Sequence, residues 1–182
     1  SNLLRRRIKD INCKILKLKS IPKNSCLGLE GDHQKINART AVTAIHYVLK
    51  EIDNSIIKRG LKNTFWPGRI QKLLPKNNLI TKSDEILIDG AHNIDGAKFI
   101  NKYLNNLKKG KWNFLFGMMK NKNPKEFIEV IEDHIEKIIF VPLQNEKNSY
   151  HPDELQIMFK EKKFITASNK NLKDALNSIS PR

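Results

Sequence analysis

Four short stretches of this 182-residue sequence combine side-chain types and spacings that suit chemistry on an anionic ligand. The first is Ile86-Leu87-Ile88-Asp89-Gly90-Ala91-His92-Asn93. An apolar strand ends in Asp89, two small residues follow, and His92 and Asn93 stand at a helix start. A carboxylate and an imidazole at this spacing can face one ligand. Asp89 can accept from hydroxyls or an ammonium, and His92 can donate to a phosphate or carbonyl oxygen near the positive end of a helix. Capping of that helix by Asp89 and Asn93 accounts for the same residues equally well. The second stretch is Trp66-Pro67-Gly68-Arg69, where an arginine behind Pro-Gly can clamp a phosphate or simply sit on a linker. The third, His33-Gln34-Lys35-Ile36-Asn37-Ala38, can hydrogen-bond a purine or phosphate, and a polar helix start is its plainer reading. The fourth, Phe116-Gly117-Met118-Met119-Lys120-Asn121-Lys122-Asn123, offers lysines that can steer anions; the plainer reading is a solvated turn with Met118 in the core.

The elements that must position these residues follow from periodicity and punctuation. Residues 11–21 alternate apolar and basic side chains, which suggests a strand. Residues 32–52 read as a helix, with Ala41, Ala44, Ile45, Val48, Leu49 and Ile52 forming one buried stripe. A short helix over 55–59 is stopped by Gly60. The break at Phe65-Trp66-Pro67-Gly68 marks a domain boundary, giving segments 1–66 and 67–182. Beyond it, strands are expected at 69–74, 85–89, 113–116, 137–141 and 164–167. Helices are expected at 94–107, 124–135, 152–161 and 172–179, with a polar turn at 75–83. The helix at 124 has a clear start, with Asn123 as cap, Pro124 in the first position and Glu126 at capping-box spacing. Strand and helix alternate, so the fold class is α/β, with a largely parallel, helix-covered sheet of Rossmann-like type. In such sheets ligands bind beyond the carboxyl ends of the strands. Asp89 and His92 are therefore expected at the end of a central parallel strand, exposed in a cleft.

Composition narrows the function classes. The 34 Lys and Arg against 19 Asp and Glu give a formal charge of +15. The lysines are scattered, and the richness in Lys, Asn and Ile suits an adenine/thymine-rich genome. The one basic cluster, Arg5-Arg6-Arg7 with Lys14, Lys17 and Lys19, lacks the aromatic residues that stack bases. A general affinity for anions fits better than a specific nucleic-acid module. Hydrophobic residues make up 39%, enough for a sizeable core. No apolar run reaches the roughly 18 residues that span a bilayer, and no secretory h-region follows the basic start. Cys13 and Cys26 form no CxxC pair and read as buried or idle thiols of a reducing cytosol. His46, His134 and His151 read as structural or surface groups. No GxxxxGK[ST] loop occurs, nor a carboxylate cluster suited to Mg²⁺, so these residues could touch a nucleotide but hardly hold and activate one.

Taken in order, His33-Gln34-x-x-Asn37-Ala38, Trp66-Pro67-Gly68-Arg69-Ile70-Gln71, Asp89-Gly90-Ala91-His92-Asn93 and Phe116-Gly117-Met118 resemble the folylpolyglutamate synthase/dihydrofolate synthase family of the Mur ligase superfamily. The likeness runs from about Leu27 to Ser180. It implies two domains: residues 1–66 as the carboxyl-terminal remnant of a P-loop ATP-binding domain, and 67–182 as the Rossmann-like C-terminal domain, lacking a last strand that would follow Arg182. It implies an ATP-dependent ligase that adds L-glutamate to dihydropteroate or to folates through an acyl phosphate. Asn37, Arg69, Asp89 and His92 would then contact ATP, with Asp89 and His92 as the catalytic pair, and the Mg²⁺ ligands would lie upstream. A cytoplasmic monomer with small-molecule partners, and with neither nucleic acid nor membrane, is implied as well. The 182 residues alone are expected to be inactive. Two departures are Ile94, where the family often has Pro, and residues 72–85, which look like an insertion. Other Mur-type ligases, building peptidoglycan or cyanophycin, share the mechanism and remain an alternative. A basic nucleic-acid-binding module is the alternative of another class.

Overall fold

The computed structural model describes residues 6–8, 10, 11, 13–49, 51–73 and 85–179. The chain divides into two compact units, Ser1–Trp66 and Pro67–Arg182.

The longest helices among the described residues of the first unit are α1 (Asp32–Val48) and α2 (Asn54–Asn63). Asp53 caps α2 by accepting from the Ser55 N–H. Gly60 lies inside α2 and does not stop it. A helical glycine costs only about 1 kcal/mol, and here the end comes at Thr64, whose backbone turns extended. Gly28 donates to the Leu61 carbonyl at 2.9 Å and so satisfies one of the free carbonyls of that helix end. Residues 13–21 form no strand among the described residues. Instead Lys19 N–H donates to Thr43 Oγ1 and the Lys19 carbonyl accepts from Arg39 Nε, so this extended run is held by α1. Alternation alone supplies no ladder partner. The stripe expected on α1 is not its buried face. Ala38 and Val42 are buried, whereas Ala41, Ala44, Ile45, Val48 and Leu49 are exposed, Val48 by 73%. Spacing decides which residues share a face; it does not decide whether another element covers it.

The second unit alternates strand and helix. Its elements are β1 (Gln71–Leu73), β2 (Ile86–Ile88), α3 (Ile94–Leu107), β3 (Trp112–Phe116), α4 (Pro124–Ile131), β4 (Ile135–Phe140), α5 (Pro152–Phe159), β5 (Ile165–Ser168) and α6 (Leu172–Asn177). A short 3₁₀ turn, Glu132–His134, leads from α4 into β4, so the helix ends earlier and the strand begins sooner than the sequence suggests. β3, β4 and β5 form a parallel sheet in that order, with Phe116 opposite Phe140 and Phe140 opposite Ser168. The period of two sorts its side chains between the faces. Ile138 and Phe140 join Phe127, Ile128 and Ile131 of α4 and Leu155 and Phe159 of α5 in the main core. Ile139 and Val141 face the other way and pack with Ala175 of α6. The sheet is thus helix-covered on both faces, the arrangement that permits continuous apolar strands.

β1 and β2 depart from expectation. They pair with each other antiparallel, Gln71 opposite Ile88 and Leu73 opposite Ile86, as a separate two-stranded sheet. Ile88 is 43% exposed, so β2 is not a buried central strand of the parallel sheet. A three-residue apolar run reads alike in both settings, and only the partner distinguishes them. The turn expected at 75–83 lies outside the described residues, as does most of the suspected insertion.

Candidate functional site

At the carboxyl ends of the parallel strands the loop after β3 (residues 117–123) is bonded to the loop after β4 (residues 141–151). Val141 N–H donates to the Phe116 carbonyl at 2.9 Å, Tyr150 N–H to that of Met118 at 2.9 Å, and Lys120 N–H to that of Asn148 at 2.8 Å. Gly117 is required at this exit, because a Cβ there would lie 2.8 Å from both the Val141 carbonyl oxygen and the Leu143 side chain. Met118 is buried in the core. The Lys120 ammonium is paired with Glu154 at 3.2 Å, and the His151 N–H also donates to that carboxylate at 2.8 Å. These bonds, the His151 backbone first, hold the Glu154 carboxyl below its ordinary value. His151 thereby closes a capping box on α5, and His134 bonds Asn101 at 2.8 Å; both are structural groups.

The loop that follows β2 is organised around Asp89. Its Oδ2 accepts from the Ile70 N–H and its Oδ1 from the Ala91 N–H, each at 2.7 Å. Asp89 is half-buried with each carboxylate oxygen bonded to a backbone N–H, which corrects the expectation of a freely exposed carboxylate. It does not cap α3 either. That role belongs to Asn93, whose Oδ1 accepts from Gly96 N–H at 2.9 Å. Asp89 instead ties its own loop to the turn nineteen residues earlier. Gly90 N–H donates to the Gly68 carbonyl at 2.8 Å, adding a second tie. The third bond is local, from Gly68 N–H to Gln71 Oε1 at 3.0 Å.

The turn so held is unusual. Gly68 has φ +71° and Ile70 has φ +47°, both left-handed. Glycine adopts this freely, but a β-branched residue does so at a cost of about 1–3 kcal/mol. Ile70 is buried and its N–H is bonded, so the surroundings impose the conformation. Arg69, between the two, is exposed. His92 is exposed too, with Nδ1 3.0 Å from the Gly90 carbonyl. A carbonyl only accepts, so Nδ1 carries the proton and Nε2 is left for other partners. Arg69, Asp89 and His92 are therefore assembled on two bonded loops. Asn37 belongs to the first unit, exposed on α1, where its Nδ2 donates to Gln34 Oε1 at 3.0 Å. Gln34 is buried and its Nε2 meets His33 Nε2 at 2.9 Å. Sequence reasoning gave no role to Gln71; the available signal was an amide side chain three residues after a Pro-Gly turn.

The second unit is an α/β domain with a helix-covered parallel sheet, and it exposes an arginine and a histidine on two hydrogen-bonded loops. The family model described as "Dihydrofolate synthetase, C-terminal domain" matches residues 71–178, and the chain belongs to that family. It is 29% identical over 105 residues to a probable bifunctional folylpolyglutamate synthase/dihydropteroate synthase of Haloferax volcanii, covering 58% of this chain and 12% of that protein. It is 32% identical over 83 residues to a probable dihydrofolate synthetase of Schizosaccharomyces pombe, covering 44% and 19%. Its fold is similar to that of Mycobacterium tuberculosis folylpolyglutamate synthase, solved in complex with ADP and AMPPCP, with a TM-score of 0.77 and 16% identity over 97% of this chain and 44% of that one. At that identity the likeness is one of fold. The match spans less than half the length of each of these proteins.

Proposed function

We propose that this chain is the carboxyl-terminal part of an ATP-dependent ligase that joins L-glutamate to dihydropteroate, to folates or to both. In this reading ATP phosphorylates a carboxylate, and the amine of L-glutamate attacks the acyl phosphate and expels phosphate. Family membership supports the reaction class. The observation that carries it to particular residues is the exposed Arg69 on a turn braced by Asp89.

Arg69 binds the transferring phosphate, and its fixed charge offsets the negative charge that grows in the transition state. With Nδ1–H on the Gly90 carbonyl, His92 donates to the same group through Nε2–H only as the imidazolium. Asp89 keeps spare lone pairs after its two backbone bonds and accepts from a hydroxyl of the nucleotide. Asn37 contributes a further nucleotide contact from α1. Residues 1–66 correspond to the end of the ATP-binding domain and 67–182 to the C-terminal domain of a Mur-type ligase. Among the described residues no three His, Cys, Asp or Glu side chains converge to hold a metal ion; the proposed ligase would take its Mg²⁺ on other residues. Among those residues no helix is long and apolar enough to cross a membrane. We place the reaction in the cytoplasm, in a monomer whose partners are ATP, L-glutamate and a pterin carboxylate.

The test is phosphate release by the full-length protein with ATP, L-glutamate and either dihydropteroate or a folate. Release with a folate substrate supports the reading. Release only with UDP-muramyl substrates, or only with a cyanophycin primer, would move the protein to another Mur-type activity. The 182-residue chain by itself should release none.

A further inference from the structure

We propose that Gln71, with the carboxylate of Asp89, is a positioning residue that locks the Gly68–Ile70 turn and so presents Arg69 to a phosphate. The inference rests on the ligase reading of Arg69 and adds to it a residue with no assigned role.

Three bonds converge on this turn, two at Gly68 and one at Ile70. Gln71 Oε1 takes the Gly68 N–H, Asp89 Oδ2 takes the Ile70 N–H, and the Gly68 carbonyl takes the Gly90 N–H. The backbone is therefore pinned on both sides of Arg69. The pinned conformation is one that Ile70 would not choose, at φ +47°. Such strain persists only where surrounding contacts over-determine it, and it clusters where geometry is needed for function. A relaxed turn would serve a linker equally well. An arginine fork, by contrast, gains from a fixed approach, because bidentate phosphate contact demands a set direction. Gln71 suits the task because it sits at the start of β1, paired with Ile88, so its acceptor is anchored to the strand that leads into Asp89.

The experiment uses the full-length protein. Gln71→Met keeps the length of the side chain and removes its acceptor. Glutamate-dependent phosphate release should fall by about tenfold, mainly in kcat, and should fall no further when the same change is made on an Arg69→Ala background. Equal losses in both backgrounds would show that Gln71 acts on folding alone and overturn the proposal; so would an Arg69→Ala protein with wild-type turnover. The ligase reading is judged separately, by whether the wild type turns over any folate substrate. Should it turn over none, amide hydrogen exchange decides on the brace, since it needs no substrate. Slow exchange at Gly68 and Ile70, lost at Gly68 in Gln71→Met and at Ile70 in Asp89→Ala, supports it. Fast exchange at both in the wild type overturns it.

Discussion

In the three-stranded sheet, Ile135, Ile138 and Phe140 are wholly buried and helices cover both faces. In the β1–β2 pair, three residues match on each side, Ile88 stands 43% exposed, and the preceding turn is held by polar bonds against its own backbone preference. The first region is stabilised by apolar burial, which is non-directional and tolerates much variation in side-chain identity. The second is specified by hydrogen bonds, which are directional and contribute modestly to stability but fix geometry. A site that must aim one guanidinium belongs on the second kind of structure, supported by the first.

This contrast can be broken by substitution. The largest effect is expected in the core. Ile138→Ala removes a side chain with 0% exposure and should cost about 4 kcal/mol of stability. Turnover per folded molecule should stay near wild type, and denaturant melts read beside kinetics would check both. A large loss of turnover in fully folded protein would erase the division of labour. Asp89→Ala should show the reverse. It frees two backbone N–H groups and should cost about 1–3 kcal/mol, while turnover of the full-length protein falls by about 10²-fold. If turnover holds while stability collapses by several kcal/mol, Asp89 is a purely structural brace.

Two smaller changes sharpen the comparison. Lys108 ends α3 in the left-handed region at φ 50°. Lys108→Gly should raise stability by about 0.5–1 kcal/mol, because glycine takes that conformation without penalty. An unchanged or lower melting temperature would count against this account of the helix end. The smallest effect concerns pH. Glu85, at the entry to β2, is hydrogen-bonded by Lys109 and lies 3.6 Å from Lys72. The Lys109 bond holds its carboxyl below the ordinary value of 4.5. Because the folded value is the depressed one, the contribution is present above 4.5 and lost as pH falls through the folded value. Glu85→Gln should lower stability slightly at neutral pH, flatten the acid limb below about pH 4.5, and leave stability at still lower pH nearly unchanged. An identical acid limb in the variant would show that the pair carries none of the acid sensitivity.

Much of the second unit was legible in the residues themselves. The bounds of α3 follow from its periodicity and its Asn93 start. Asn123 caps α4 by accepting from Glu126 N–H, as Asn-Pro-x-Glu suggests. The strand–helix alternation gives the parallel sheet and the α/β class. These features depend on neighbours within a few residues, so local sequence contains them. The tertiary structure alone decided which strand β2 pairs with, and that the expected α1 stripe stays exposed while Ala38 and Val42 are buried. It also decided that Asp89 reaches back to Ile70 rather than capping α3. Each of these turns on a partner far away in the chain. Periodicity tells which side chains share a face; only chain closure tells what that face meets. The left-handed Ile70 is the clearest case, since its own sequence argues against it and three distant or lateral bonds impose it.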